Sequence, residues 1–137
     1  MHKTVPAFII LALLTFVATV TARQDAARNT TSVKDVMLTM TIPASDVIFT
    51  AASEPPKDER AWQDVRKSAL VLSESGELLL TTRLAKDTTT WMEMARTMVA
   101  QTKVTLKAID AKDVDALAQA ADDMYVTCKA CHDRYME

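Results

Sequence analysis

The chain has 137 residues, of which 49% are hydrophobic, and its 16 basic and 18 acidic residues leave a formal charge of −2. It contains one glycine, which excludes glycine-rich phosphate loops and dinucleotide fingerprints and disfavours a sandwich of many tight hairpins. The near balance of charge gives no indication of nucleic acid or an anionic membrane surface as a partner. A chain of this length forms one domain of ordinary size, and its composition favours a mostly helical one.

The first 22 residues carry the features of an export signal. A basic start at Lys3 is followed by an uncharged stretch, residues 6–20, and small or compact residues then occupy positions −3 and −1 before a cleavage after Ala22. The apolar run of about 15 residues is shorter than the roughly 20 that span a bilayer, which favours a cleaved signal over a membrane anchor. We therefore expect residues 1–22 to be a secretory signal peptide that is removed, and residues 23–137 to form the exported domain.

The first predicted helix of the exported domain begins after Ser32. Ser32 and Asp35 resemble a capping box, in which a hydroxyl is followed three residues later by a carboxylate. Apolar residues then recur at steps of three and four, which is the period of an amphipathic helix. Pro43 lies inside this run, where it removes one backbone hydrogen bond and should kink the helix or mark its restart. The repeating apolar positions are Val33, Val36, Met37, Met40, Ala44, Val47, Ile48 and Ala51.

The second predicted helix follows a break in the pattern. Residues 53–57 include two adjacent prolines that end the first helix, and Asp58 can cap the next one. Gly76 interrupts the apolar stripe of this second helix. The stripe consists of Trp62, Val65, Ala69, Leu72 and Leu79 or Leu80.

The third and fourth predicted helices each begin at a capping pair. Thr90 with Glu93 resembles a capping box that opens the third helix, and Asp110 with Asp113 repeats the arrangement before the fourth. Four helical segments joined by short loops predict an all-α fold, with an antiparallel four-helix bundle as the natural packing. The third stripe consists of Trp91, Met94, Ala95, Met98, Val99, Leu106 and Ile109, and the fourth of Val114, Leu117, Ala118, Ala121, Tyr125, Cys128, His132 and Tyr135.

The fourth predicted helix carries the most specific motif in the sequence. Cys128-Lys129-Ala130-Cys131-His132 matches the C-x-x-C-H pattern of haem attachment. On a helix the two thiols lie at neighbouring positions of one face, from which they can add to the two vinyl groups of a haem. The imidazole of His132 is then held beneath the iron as its proximal ligand. The motif therefore predicts one covalently bound haem c.

A thiol–disulfide pair and a zinc site are other interpretations of the two cysteines. Redox C-x-x-C motifs usually open a helix after a strand, where the helix dipole lowers a thiol pKa, whereas this motif lies near the end of the last helix. A structural zinc ion needs four ligands, and the exported domain offers Cys128, Cys131 and His132 as its soft or imidazole ligands. Haem attachment is favoured, and a thiol–disulfide protein without haem is the weaker alternative.

The sequence gives no support to an enzyme. His132 is the single histidine of the exported domain, and its predicted role on iron leaves none for a Ser-His-Asp arrangement. The carboxylates fall mostly on helix caps and exposed faces, so a hydrolase with paired carboxylates is unsupported. We therefore expect a binding or carrier function.

The export signal, the four helices and the carboxyl-terminal motif together resemble the class II c-type cytochromes, the family of cytochrome c′ and its low-spin relatives. In class I cytochromes c the motif lies near the amino end, so its position here discriminates between the classes. The resemblance implies a periplasmic haem protein with the haem near one end of the bundle, redox partner proteins and no stable membrane insertion, and it makes a homodimer an option. Tyr135 matches the family's aromatic residue three positions after the histidine, whereas Met136 stands in place of a common basic residue and Arg134 is a displaced substitute.

The ligand on the second side of the iron decides the function within this family. Cytochromes c′ leave that side to an apolar residue and bind small gases such as NO or CO, whereas the low-spin relatives place a first-helix methionine there and transfer electrons. Met37 and Met40 lie on one face of the first helix, and a soft thioether is an apt ligand for iron. Periodicity does not separate the two methionines, and the resemblance favours Met37. We therefore expect an electron carrier with His132 and Met37 as axial ligands, with five-coordinate gas binding as the alternative.

Overall fold

Four helices make up the regular structure of residues 31–136, the part of the chain that the computed structural model describes. No strand occurs in this range, so the predictions of an all-α protein and of four helices are confirmed. The predicted signal peptide, residues 1–22, lies outside the described residues. Helix α1 covers Val33–Ser53, α2 covers Glu59–Leu79, α3 covers Thr90–Ala111 and α4 covers Val114–Tyr135.

The amino-terminal ends of α1 and α2 are capped as the sequence predicts. The Ser32 hydroxyl accepts a hydrogen bond from the amide of Asp35, and the Asp35 carboxylate accepts one from the amide of Ser32, which completes a capping box. The Asp58 carboxylate accepts a hydrogen bond from the amide of Ala61 at 2.8 Å. These contacts satisfy amides that a helix leaves without internal partners.

The predicted capping box of α3 is wrong. Thr90 is already the first helical residue, and Thr89 before it makes no capping bond through its side chain. The carboxylate of Asp87 caps the helix instead, because it accepts a hydrogen bond from the amide of Trp91 at 3.0 Å. The Asp87 carboxylate in the preceding loop therefore has the capping role that the sequence predicts for Thr90 and Glu93.

The turn between α3 and α4 also corrects a prediction. Lys112 ends α3 in the left-handed conformation, with φ at 53°. Asp113 is the N-cap of α4 and accepts a hydrogen bond from the amide of Ala116 at 3.0 Å. Asp110 lies within α3 and forms an ion pair with Arg66 of α2 at 2.7 Å. The predicted Asp110–Asp113 capping pair is wrong, because its first carboxylate belongs to the preceding helix.

Helix α1 contains a π-helical segment, Met37–Thr41, just ahead of Pro43. The amide of Ile42 donates its hydrogen bond to the carbonyl of Met37, five residues earlier, instead of four. Proline has no amide hydrogen to donate, and the α-helical pattern restarts at Ile42 directly before it. The position of Pro43 therefore coincides with a restart, as predicted, and the helix continues to Ser53.

The helices enclose one apolar core. Helix α1 packs against α2 and α4, and α3 packs against the same two helices. Gly76 of α2 allows a close approach to α3, because a Cβ atom at this position would lie 2.8 Å from Cγ2 of Val99. The largest fully buried apolar side chains are Ile48, Leu72, Ile109, Leu117, Met124 and Val36.

Helix α1 is also the described helix with enough length and apolar character to cross a membrane, judged by length and composition alone. Of its most apolar 18-residue window, 33% is buried inside the protein. Core helices of other folds pass the same test, and Val36, Ala44 and Ile48 of α1 are buried in the bundle core.

Candidate functional site

A cavity of about 300 Å³ lies where all four helices meet beside the carboxyl-terminal half of α4. Most of the side chains around it are apolar, with a few polar groups among them, which is the usual character of a small-molecule site. The α1 side consists of Met37, Thr41, Ile42, Ser45 and Phe49, and α2 adds Leu79. Helix α3 contributes Trp91, Met94, Ala95 and Met98, and α4 contributes Tyr125, Thr127, Cys128, Lys129, Cys131 and His132.

The three chemically distinctive residues of the sequence motif all line this cavity. Cys128 and Cys131 are half-buried free thiols, and His132 is exposed. Residues three and four apart lie on one face of an α-helix, so the regular winding of α4 brings the three side chains to the same wall. The structure therefore places the predicted motif residues at one site.

Burial raises the pKa of both cysteine thiols, and for Cys128 the neighbouring Cys131 raises it further. A thiol with a raised pKa is protonated at neutral pH. A redox-active C-x-x-C pair depends on the opposite shift, because its attacking group is the thiolate. The environment of the two cysteines therefore weighs against a thiol–disulfide protein.

The two candidate methionines of α1 occupy different environments. Met37 lines the cavity and packs against the core, whereas Met40 is half-buried and is not part of the cavity wall. Both residues lie in the π-helical segment, whose winding differs from that of an ideal α-helix. The structure thus distinguishes two methionines that periodicity leaves equivalent, and Met37 is the one that shares a cavity with the motif.

One polar group of the cavity wall is buried without a hydrogen-bond partner among the described residues. Thr41 is 6% exposed, and its Oγ1 neither donates nor accepts a hydrogen bond. Thr102 and Thr105 are buried at least as deeply, yet their hydroxyls donate to carbonyls four residues earlier at 2.9 and 3.0 Å. A buried hydroxyl without a partner costs about 1–3 kcal/mol. No hydrogen bond within the described residues therefore offsets the cost of burying the Thr41 hydroxyl.

Two further methionines, which the sequence predicts only as core residues of the α3 stripe, also line the cavity. Met94 is half-buried, Met98 is buried, and both line the cavity together with Trp91. Their spacing of four residues on the stripe that begins at Trp91 is the sequence signal that could have identified them. Long, flexible thioether side chains suit a wall that must fit an irregular or planar group.

The last turn of α4 is tied to the start of α3 by a polar and aromatic contact, which we call the Asp87–Tyr135 latch. The Tyr135 hydroxyl donates a hydrogen bond to the Asp87 carboxylate at 2.5 Å. The Tyr135 ring meets the Trp91 ring edge-on, with centroids 5.1 Å apart. The indole of Trp91 donates to the Leu79 carbonyl at 2.7 Å. The latch therefore fixes a cavity-lining tryptophan beside the last turn of α4, which directly follows the motif.

The protonation states of the latch follow from its hydrogen bonds. The Tyr135 hydroxyl, followed by the amides of Trp91 and Thr89, lowers the pKa of Asp87 to about 2, and the same contact with Asp87 raises the pKa of Tyr135. Near neutral pH the carboxylate therefore stays an acceptor and the phenol stays a donor. Asp87 is absent from the residues predicted from the sequence, although an acidic residue just ahead of a helix is a signal for such a role.

Within residues 31–136, no three His, Cys, Asp or Glu side chains come together in a way that could hold a metal ion. A haem iron does not need such a cluster, because the porphyrin supplies four ligands and the protein adds axial ones. Comparisons of the chain with protein-family models, curated proteins and solved structures found no match. The function is therefore inferred from the cavity and its residues.

Proposed function

We propose that this protein is a c-type cytochrome that carries electrons, with one haem attached through Cys128 and Cys131. The observation that carries the proposal is that the C-x-x-C-H motif of α4 and Met37 of α1 line one apolar cavity. These residues are far apart in the sequence, and core packing alone gives no reason for two thiols, an imidazole and a thioether to share a cavity. Their combination is the ligand set of a covalently bound, six-coordinate haem.

The other cavity residues also suit a haem. Phe49, Trp91 and Met98 supply aromatic and thioether surface, against which a flat apolar macrocycle can pack. Tyr125 is 60% exposed and His132 is exposed, so the cavity reaches the protein surface. Access to the surface is what an electron carrier requires, because its partner proteins must approach the redox centre.

Each side chain of the proposed site has a defined role. Cys128 and Cys131 would hold a haem through thioether bonds, so that it would stay attached in either oxidation state of its iron. His132 and Met37 would hold its iron through an imidazole and a soft thioether, and the thioether would favour ferrous iron and raise the reduction potential. When bound, the haem supplies an iron that accepts and releases one electron. Because the same two side chains would ligate both states, the protein would reorganise little on electron transfer.

An antiparallel bundle and an exported location are part of the proposal. An ion pair between Glu59 and Lys112 joins the start of α2 to the end of α3, and the hydrogen bond from Trp91 to Leu79 joins the start of α3 to the end of α2. These contacts support antiparallel packing of the two helices. We further propose that residues 1–22 direct export to the periplasm, where the protein exchanges electrons with redox partner proteins.

Absorption spectroscopy of the holoprotein expressed in a periplasm with haem-attachment machinery tests the function. A low-spin ferrous protein that resists carbon monoxide is the expected result, because Met37 then closes the sixth position. Rapid binding of carbon monoxide by a high-spin iron would contradict the electron carrier and favour the five-coordinate, gas-binding alternative. A reducing, denaturing gel without haem on the chain would reject both haem functions.

A further inference from the structure

The unpaired hydroxyl of Thr41 lies in the same helix and lines the same cavity as Met37. Side chains four residues apart are neighbours on a helix surface. Because the Cα–Cβ bonds of a helix tilt toward its amino terminus, the side chain of Thr41 leans over the turn that carries Met37. Met37 is therefore the cavity-lining residue of α1 that lies about one turn before Thr41, on the side toward which the Thr41 side chain leans.

The usual hydrogen-bond acceptor for a helical threonine is the carbonyl four residues earlier. For Thr41 this is the carbonyl of Met37, which accepts from the amide of Ile42 in the π-helical segment. The hydroxyl of Thr41 makes no such bond and keeps a hydrogen to donate. Threonines that donate to the carbonyl four residues earlier are Thr39, Thr97, Thr102, Thr105 and Thr127.

We propose that Thr41 is a positioning residue for the sixth iron ligand, and that its hydroxyl donates a hydrogen bond to the thioether sulfur of Met37 when that sulfur is bound to iron. This inference rests on the proposed haem function. A thioether that ligates iron through one lone pair retains a second one, which is a weak hydrogen-bond acceptor. The hydrogen bond gives the buried hydroxyl the partner that the described protein atoms do not provide.

Two consequences follow for the iron. A hydrogen bond draws electron density away from the sulfur of Met37, so the sulfur stabilises ferric iron less than it otherwise would, and the reduction potential rises. The bond also restrains a flexible side chain, so that Met37 is displaced more slowly by an added ligand. Thr41 therefore acts through Met37 and does not touch the iron.

Thr41→Val in the holoprotein tests the proposal, because valine keeps the shape of the side chain and removes the hydroxyl. We expect a lower reduction potential, a shifted charge-transfer band of the ferric iron–sulfur bond, and carbon monoxide binding to ferrous protein that is several-fold faster. Thr41→Ser keeps a hydroxyl and should stay close to the natural protein in all three measurements. Thr105→Val is the matched control, because its buried hydroxyl donates to the carbonyl of Gln101 in its own helix and neither residue lines the cavity.

The outcomes separate this inference from the proposed function. The natural protein could have the iron–sulfur band while the Thr41→Val variant equals the natural protein in all three measurements. The proposed role of Thr41 would then be wrong, and the proposed electron-carrier function would be unaffected. If the natural holoprotein lacks the band, ligation by Met37 fails and the role of Thr41 fails with it. If Thr41→Ser changes as much as Thr41→Val, the hydroxyl is not the cause and the inference is overturned. Circular dichroism checks folding, and Thr41→Ala removes the same hydroxyl should the valine variant not fold.

Discussion

The turn between α3 and α4 and the wall of the cavity differ in how completely their polar groups are paired and in how regular their helices are. At the turn, Asp113 caps α4, and Asp110 pairs with Arg66 at 2.7 Å, so the polar groups find partners close by. At the cavity, α1 changes to a π-helix, two thiols have raised pKa values, and Oγ1 of Thr41 is the one buried side-chain oxygen or nitrogen without a partner among residues 31–136.

The difference between these regions agrees with the proposal of a functional site at the cavity. Ordinary helical proteins satisfy buried polar groups and avoid irregular winding, because each departure costs stability. Unpaired polar groups and irregular winding that cluster in one region are expected where a functional site requires them. Here they surround the cavity that contains the C-x-x-C-H motif, whereas the α3–α4 turn can be explained by capping and ion pairs alone.

The largest expected effect comes from replacing both cysteines of the cavity wall. Cys128→Ser combined with Cys131→Ser should abolish covalent haem attachment, because a serine hydroxyl does not form the thioether bond. Haem staining of a reducing, denaturing gel measures this loss. Haem that stays on the double variant after denaturation would show that the cysteines are not the attachment sites.

The next largest effect distinguishes the two methionines of α1. Met37→Ala should convert the low-spin iron to a high-spin form that binds carbon monoxide rapidly, because the sixth ligand is lost. Met40→Ala is the matched control and should leave the spectrum unchanged, because Met40 is not part of the cavity wall. The opposite pattern in absorption spectra would assign the ligand to Met40.

A core substitution outside the cavity should affect stability without affecting the iron. Leu117 is fully buried in α4 and does not line the cavity. Leu117→Ala should lower the free energy of unfolding by about 2–5 kcal/mol, because it leaves a cavity in the core. Denaturant unfolding gives this change, and the holoprotein spectrum should match that of the natural protein. A spectral change as large as that of Met37→Ala would show that the two regions are not separable.

The latch predicts a dependence of stability on acid pH. The pKa of Asp87 is about 2 in the folded protein and near its usual value of 3.8 in the unfolded chain, so the unfolded state binds the proton more readily. The stabilisation by this carboxylate is therefore complete above about pH 4 and is lost as the pH falls toward about 2. Melting temperatures measured across this range should fall less steeply for Asp87→Asn than for the natural protein.

A matched variant tests whether this acid dependence belongs to the latch. Tyr135→Phe removes the hydroxyl that makes the largest contribution to the low pKa of Asp87. It should weaken the dependence on pH, although less than Asp87→Asn, because the amides of Trp91 and Thr89 still donate to the carboxylate. Equal acid dependence in all three proteins would contradict the assignment.

The smallest effect is expected at the ion pair between Arg66 and Asp110, neither of which lines the cavity. Their side chains are 46% and 52% exposed, and exposed pairs contribute little because water and salt screen them. Arg66→Ala should change the free energy of unfolding by less than about 1 kcal/mol and leave the spectrum unchanged. Denaturant unfolding at low and high salt measures the effect, and a loss of several kcal/mol would show that the α3–α4 region is not held by local contacts alone.

Much of the fold could be predicted from local sequence signals. The period of the apolar residues identifies four helices, and Ser32 and Asp58 mark two helix starts because a cap needs only neighbouring residues. The start of α3 was harder, because Thr90 and Glu93 have the right spacing while Asp87 reaches the free amide from the loop. The spacing of residues in the sequence does not show how the loop places the Asp87 carboxylate beside the Trp91 amide.

The candidate site was only partly predictable, for a similar reason. Cys128, Cys131 and His132 are adjacent in the sequence, so a short motif identifies them. The cavity positions of Met37 and Thr41 depend on the π-helical winding of α1 and on how α1 packs against α4, which are properties of the tertiary structure. Asp87 and Tyr135 are likewise brought together only by folding.

The central claim, that this cavity holds a covalently attached haem, is tested most directly by the intact mass of the chain. The natural sequence is expressed in a periplasm with haem-attachment machinery, purified, and measured by mass spectrometry under denaturing, reducing conditions. We expect a mass that equals the polypeptide plus one haem. A mass equal to the polypeptide alone, in a preparation where a known c-type cytochrome acquires its haem, would contradict it.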